Sequence, residues 1–104
     1  MQKFFYKEKL IGIRCNCLTA GVTVLSKPTE PLQILGLKHL KGKKVEPHFH
    51  KPIRRITNHL QECIIVMKGK IKIDLYGPDN KHFKKLYLKA EELFVLISGG
   101  HAIT

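Results

Sequence analysis

This chain is short of long apolar runs, of cysteine, of acidic residues and of arginine, and each shortage excludes something. No uninterrupted apolar stretch approaches the ~20 residues that a membrane-spanning helix needs, so no membrane partner is expected. The lysine-bearing start, Met1 to Lys9, lacks the apolar block and small-residue site of a secretory signal, and the expected location is the cytoplasm. Cysteine is scarce and odd in number, 3 residues at Cys15, Cys17 and Cys63, which argues against a disulfide framework. On a strand, the C-x-C spacing of Cys15 and Cys17 puts both thiols on one face. Small, half-buried strand residues are the plain reading of that pair, and a metal or redox pair the sharp one.

Acidic residues number 8 against 19 lysines and arginines, a net charge of +11. A surplus of this size raises nucleic acid or an anionic substrate as a partner. Two features weigh against nucleic acid. The lysines are spread along the chain, from Lys38 through Lys51, Lys68 and Lys72 to Lys85. Arginine, the residue suited to bidentate phosphate and base contacts, occurs only at Arg14, Arg54 and Arg55. A basic nucleic-acid-binding module is therefore the least favoured of the function classes. Phosphate loops of the Walker or dinucleotide type, a nucleophilic serine elbow and a glycosidase-like carboxylate pair are also missing.

What the chain does have is short β-forming runs cut by turn residues, which predicts an all-β barrel or sandwich. At 104 residues it predicts a single domain over 1–104. Strands are expected over Leu10–Leu18, Val22–Leu25, Leu32–Leu40, Cys63–Met67, Ile71–Tyr76, Phe83–Leu88 and Leu93–Ile97. The run Ile71-Lys72-Ile73-Asp74-Leu75-Tyr76 alternates with period two, as a half-exposed strand should. Lys68-Gly69-Lys70 and Gly77-Pro78-Asp79-Asn80 carry turn chemistry, the first read as closing a hairpin. Ile53–Gln61 and Ala90-Glu91-Glu92 offer at most a helical turn each, too short to stand alone. The sequence ends at Thr104, just after the strand that His101 opens. That predicts an open edge, met by further chain or by a partner.

The residues with chemistry lie at Gly42-Lys43-Lys44-Val45-Glu46-Pro47-His48-Phe49-His50, which reads G-x5-H-x-H. Two histidines two apart on an extended strand project from one face and reach a single ion, while Phe49 turns to the opposite face for packing. Glu62 follows, and from it to Gly69 the chain reads E-x6-G. His101 stands beyond two further strands. Imidazoles with one carboxylate suit Mn, Fe, Co, Ni or Zn. His39, His59 and His82 have no comparable frame, although His59 falls close enough to Glu62 to reach a pocket mouth. Arg54 and Arg55 read as a solvated pair or as guides for an anionic ligand.

G-x5-H-x-H followed by E-x6-G resembles the first motif of the cupin superfamily, whose members are double-stranded β-helix barrels of the jelly-roll type. The usual form has three or four residues between the second His and the Glu; here the 11 residues Lys51 to Gln61 intervene. The family's second motif, G-x5-P-x-G-x2-H-x3-N, falls on Ala90, Leu96, Ser98 and His101, of which only the His matches. The resemblance covers roughly Gln33 to Thr104, with the first motif at 42–69 and a degenerate second at 90–101. It is most similar to small single-domain cupins of the sugar-isomerase-like branch.

The resemblance implies His48, His50, Glu62 and His101 as ligands of one divalent metal ion (Mn, Fe, Ni or Zn) and a small polar, sugar-like molecule bound through it. It further implies isomerase, epimerase or dioxygenase chemistry, or a non-catalytic sensor using the same pocket, and a homodimer. No separate catalytic base is legible.

Overall fold

A computed structural model describes all of residues 1–104. The protein is all-β, with no helix. Its nine strands are β1 (Gln2–Tyr6), β2 (Lys9–Cys15), β3 (Gly21–Val24), β4 (Leu35–Lys38), β5 (Glu62–Ile65), β6 (Lys70–Tyr76), β7 (His82–Lys89), β8 (Leu93–Leu96) and β9 (Gly100–Ile103). They form three antiparallel sheets, ordered β1-β2-β8-β5, β3-β4 and β7-β6-β9, none closed into a barrel. No helix is long and apolar enough to cross a membrane. The chain divides into two compact units, Met1–Cys17 with His59–Thr104, and Leu18–Asn58.

In the first unit the four-stranded and three-stranded sheets share one apolar core. Phe4, Ile11, Phe94 and Leu96 come from one sheet and Ile73, Leu75, Leu86 and Leu88 from the other. The expected alternation of β6 holds, with Ile73 and Leu75 fully buried and Lys72, Asp74 and Tyr76 facing outward. Phe94 is the largest fully buried side chain, and its ring occupies the space over Gly12 on the neighbouring strand. A Cβ at Gly12 would lie 2.1 Å from the Phe94 ring, so the absent side chain is what lets the aromatic fill the core. Pairing of β1 with β2 passes from Phe4↔Gly12 to Phe5↔Leu10, leaving Ile11 as the extra residue of a bulge.

The turn at Lys68-Gly69 is not a hairpin. β5 pairs with β8 and β6 with β7, so the chain crosses there from one sheet to the other. The return crossing, Ala90 to Glu92, runs beside it. Val66 donates to the Glu92 carbonyl at 3.1 Å, Glu91 to the Val66 carbonyl at 2.8 Å and Ala90 to the Gly69 carbonyl at 3.0 Å. The β5–β8 pair thus continues over the corner as the β6–β7 pair, a single antiparallel ribbon folded across the core. Turn residues mark where a chain bends but not which strand it will meet next, which is why the local pattern points to a hairpin here.

Ala90–Glu92 is a turn without helix, and Glu91 carries a positive φ of 72°. Glu92 is buried, accepting from the Lys89 backbone N–H at 3.0 Å and from Arg14 Nη2 at 3.4 Å. The Lys89 hydrogen bond, then the Arg14 charge, hold its carboxyl below the usual range against the opposing effect of burial. Across the two outer edges the sheets are pinned by side chains. Tyr6 of β1 lies against Phe83 of β7 with centroids 5.0 Å apart and ring planes tilted by 40°, and Glu62 of β5 meets His101 of β9.

The second unit is the β3–β4 pair with irregular chain on either side. Ser26 donates to the Leu32 carbonyl at 2.9 Å and accepts from the Ile34 N–H at 2.6 Å, closing the link between the strands. Val22↔Leu37 and Val24↔Leu35 are cross-strand neighbours, and all four side chains are exposed. The segment 39–58 has no regular structure, and Ile53–Gln61 forms no helical turn.

Candidate metal centre

Glu62 and His101 are brought together by the fold. Glu62 opens β5 at one edge of the four-stranded sheet, paired with Leu96. His101 lies on β9 at one edge of the three-stranded sheet, paired with Leu75. Their side chains meet where these edges approach, with His101 Nε2 3.2 Å from Glu62 Oε2. His101 is the more enclosed, with 20% of its side chain exposed against 46% for Glu62, so the contact opens to solvent on the carboxylate side. Gly99, with φ +73°, makes the approach to His101. A Cβ there would stand 2.5 Å from the Tyr76 carbonyl oxygen, so glycine is required both for the backbone conformation and for the space.

The donor chemistry of this pair fits a divalent ion. Ligand oxygen and nitrogen atoms each ~2.1 Å from a shared ion, at tetrahedral or octahedral angles, stand about 3.0–3.4 Å apart. The observed separation of 3.2 Å falls within that range, and equally within that of an ordinary imidazole–carboxylate contact.

His48 and His50 belong to the second unit and lie on irregular chain, not on the extended strand their spacing suggested. Pro47 and Pro52 each lack the N–H that a ladder would need there. The two rings remain neighbours, with centroids 5.1 Å apart in edge-on contact. His48 Nδ1 lies 2.9 Å from the Glu46 carbonyl oxygen. A carbonyl only accepts, so Nδ1 carries the proton and Nε2 is left with its lone pair free to ligate. Phe49 does not pack as its alternation suggested; it is 98% exposed. Within either unit, no group of three or more His, Cys, Asp or Glu side chains gathers as a metal cluster.

The other candidates resolve individually. Cys15 ends β2 and is buried, with Sγ 3.6 Å from the Cys17 carbonyl, whereas Cys17 lies beyond the strand and is exposed. The C-x-C thiols therefore share no strand face, and all three cysteines are free. Arg55 is engaged in the second unit, donating to the carbonyls of Pro28 and Glu30. It braces a loop, which removes it as a free guide for ligands. His59 lines an open cavity of about 390 Å³ in the first unit with Lys9, Asn80 and the Ser98–Gly100 turn.

One constellation is not apparent from the sequence. Asp74 on the outer face of β6 accepts from Lys72 Nζ at 3.0 Å and lies 2.9 Å from His82 Nε2. Hydrogen bonds from Lys72 and then His82 hold its carboxyl below the usual range. The Lys72 spacing on alternating β6 is a visible signal. His82 gives none, because a bulge between Leu75 and Tyr76 brings it into register with Tyr76.

No protein family, curated protein or solved structure matches the chain.

Proposed function

We propose that this protein binds one divalent metal ion through His48, His50, Glu62 and His101, and a small polar molecule at the open coordination positions. The observation that carries the reading is the 3.2 Å contact of Glu62 with His101. The motif frame named these two residues as ligands from separate segments, and they stand at ligand-pair distance on edge strands of different sheets. The free Nε2 of His48 supports the same reading from the other half of the motif. The folded β5–β8/β6–β7 ribbon supports a double-stranded β-helix architecture of the cupin type, since that fold is wound from just such a ribbon. An apolar face of Val22, Val24, Leu35 and Leu37 on a two-stranded sheet supports a homodimer that covers it.

Bound there, the ion would supply Lewis-acid or redox chemistry, in an isomerase, epimerase or dioxygenase role. The chain's own contribution is a carboxylate that offsets charge, imidazoles that stay neutral, and a proton on His48 Nδ1 fixed by a backbone carbonyl. Ligation through His101 Nε2 needs that nitrogen's lone pair, so metal uptake must break its 3.2 Å contact with Glu62. The second reading, a sensor with the same ligands and no turnover, is separated from the first by product formation.

The test is elemental analysis of protein purified without chelator, beside His48→Ala/His50→Ala and Glu62→Gln/His101→Ala. The reading expects a single ion in wild type and none in either double variant. Metal retained by both variants, or refused by wild type after reconstitution, overturns it.

A further inference from the structure

The sequence disperses its lysines, but the fold does not. The outer face of the β7-β6-β9 sheet gathers Lys70 and Lys72 from β6 with Lys85 and Lys89 from β7, and sets Tyr76 and Tyr87 among them. The register makes neighbours of Lys70 and Lys89, of Lys72 and Tyr87, and of Asp74 and Lys85. The one acid on this face, Asp74, is paired with Lys72 at 3.0 Å and lies 2.9 Å from His82, so the surplus charge of the face comes from Lys70, Lys85 and Lys89. Tyr87 is 45% exposed, and the Lys70 ammonium sits 4.6 Å from its ring centroid. Tyr76 is half-buried, its ring held edge-on by His82 at 5.4 Å. Tyr76 lies four positions along β6 from the residue facing Tyr87, so the two rings are separated by about 13 Å along the strand.

We propose that this face binds single-stranded nucleic acid without sequence preference. Rings interleaved with cations offer base stacking and phosphate neutralisation together, the combination that single strands require. A duplex would hide its base faces from the tyrosines, and no element projects from the sheet to enter a groove. The cations are all lysines, which attract phosphates as point charges and do not read base edges in the bidentate manner of arginine. An anionic membrane is the weaker match, because the face carries no large aliphatic or tryptophan side chains to insert. The site lies on the outer surface of one sheet, apart from the Glu62–His101 contact, and stands or falls independently of metal binding.

The experiment is fluorescence anisotropy of a labelled oligo-dT of about a dozen nucleotides, titrated with the full chain between about 50 and 200 mM salt. Wild type should bind, with affinity falling steeply as salt rises. Tyr87→Leu, at an exposed position that retains every charge, should weaken binding about tenfold, the scale of one base stack. Tyr87→Phe should restore it. Lys85→Ala/Lys89→Ala should reduce the slope of log affinity on log salt by about 0.7 for each phosphate that is no longer neutralised. Lys41→Ala/Lys43→Ala, which removes equal charge from the second unit, should leave the slope in place. The proposal is overturned by no binding at the lowest salt, by unchanged binding in Tyr87→Leu, by equal losses in both lysine pairs, or by binding to phosphatidylserine vesicles without binding to the strand.

Discussion

Glu62 and His101 stand 3.2 Å apart at the adjoining edges of two sheets that otherwise meet through the apolar core, the corner turns and the Tyr6–Phe83 contact at the opposite edge. The contact depends on β5 and β9 each occupying the edge of its sheet, and so on the order in which the ribbon is wound. Either residue moved by one position would point to the opposite face of its strand. For the pair to hold metal, each must lose something. Glu62→Gln keeps the shape and removes the charge, so metal uptake should fall by more than tenfold while the thermal midpoint stays nearly level, since the carboxylate is half exposed. An unchanged uptake in Glu62→Gln removes Glu62 from the ligand set.

The turn that aims His101 should be sensitive in a way that other glycines are not. Gly99→Ala meets the Tyr76 carbonyl and a positive φ together, so a loss of about 1–2 kcal/mol from the left-handed backbone is a lower bound. Gly42 has a positive φ of 86° and nothing within 4 Å, so Gly42→Ala should show the backbone cost alone. Urea denaturation of the two variants should rank Gly99→Ala as clearly the worse. Equal losses would mean the Tyr76 approach is not rigid.

Gly12 and Phe94 should be coupled. Gly12→Ala overpacks the ring and should cost about 1–3 kcal/mol, and Phe94→Ala, which empties a fully buried site, about 3–5 kcal/mol. With the ring gone the alanine methyl has room, so the double variant should be no worse than Phe94→Ala. A double-mutant cycle by chemical denaturation measures this, and additive losses would contradict the packing described for Gly12.

Stability should decline on the acid side through three carboxylates. Asp74, Asp79 and Glu92 all have their folded-state affinity for protons lowered, by Lys72 and His82, by the Tyr6 hydroxyl, and by the Lys89 N–H with Arg14 respectively. A depressed folded value means the stabilisation is fully present above the unfolded value, near 4, and is lost as pH falls through the folded one. Thermal midpoints should therefore hold from neutrality to about pH 5 and then drop. Glu92→Gln should lower the midpoint at neutral pH and flatten the acid decline; an acid branch as steep as in wild type would locate the titration elsewhere.

Strand composition and turn chemistry made the β class legible, because alternation and turn residues are local properties of the chain. The full burial of Ile73 and Leu75 was written in the period of Ile71 to Tyr76. Glu62 and His101 were legible as candidates because their spacing falls in a motif frame. Three features were hidden. β1 lies in a segment whose lysines draw attention to charge, and only pairing with β2 makes it a strand. The Lys68-Gly69 turn looks like a hairpin because sequence shows the bend and not the partner. Glu92 looks like a surface turn residue, and its burial follows from Arg14, far away in sequence, being delivered beside it.

By itself, then, the sequence determined that this chain would form short strands, where they would bend, and which side chains are candidates for ligand chemistry. Those are matters of backbone preference and side-chain period within a few residues. The tertiary structure alone decided which strands became sheet edges, that Glu62 should face His101, and that dispersed lysines should converge on one tyrosine-bearing face. Each of those depends on register between segments distant in the chain, set by the packing of Phe94 over Gly12 and by the paired corner turns, which no local pattern encodes.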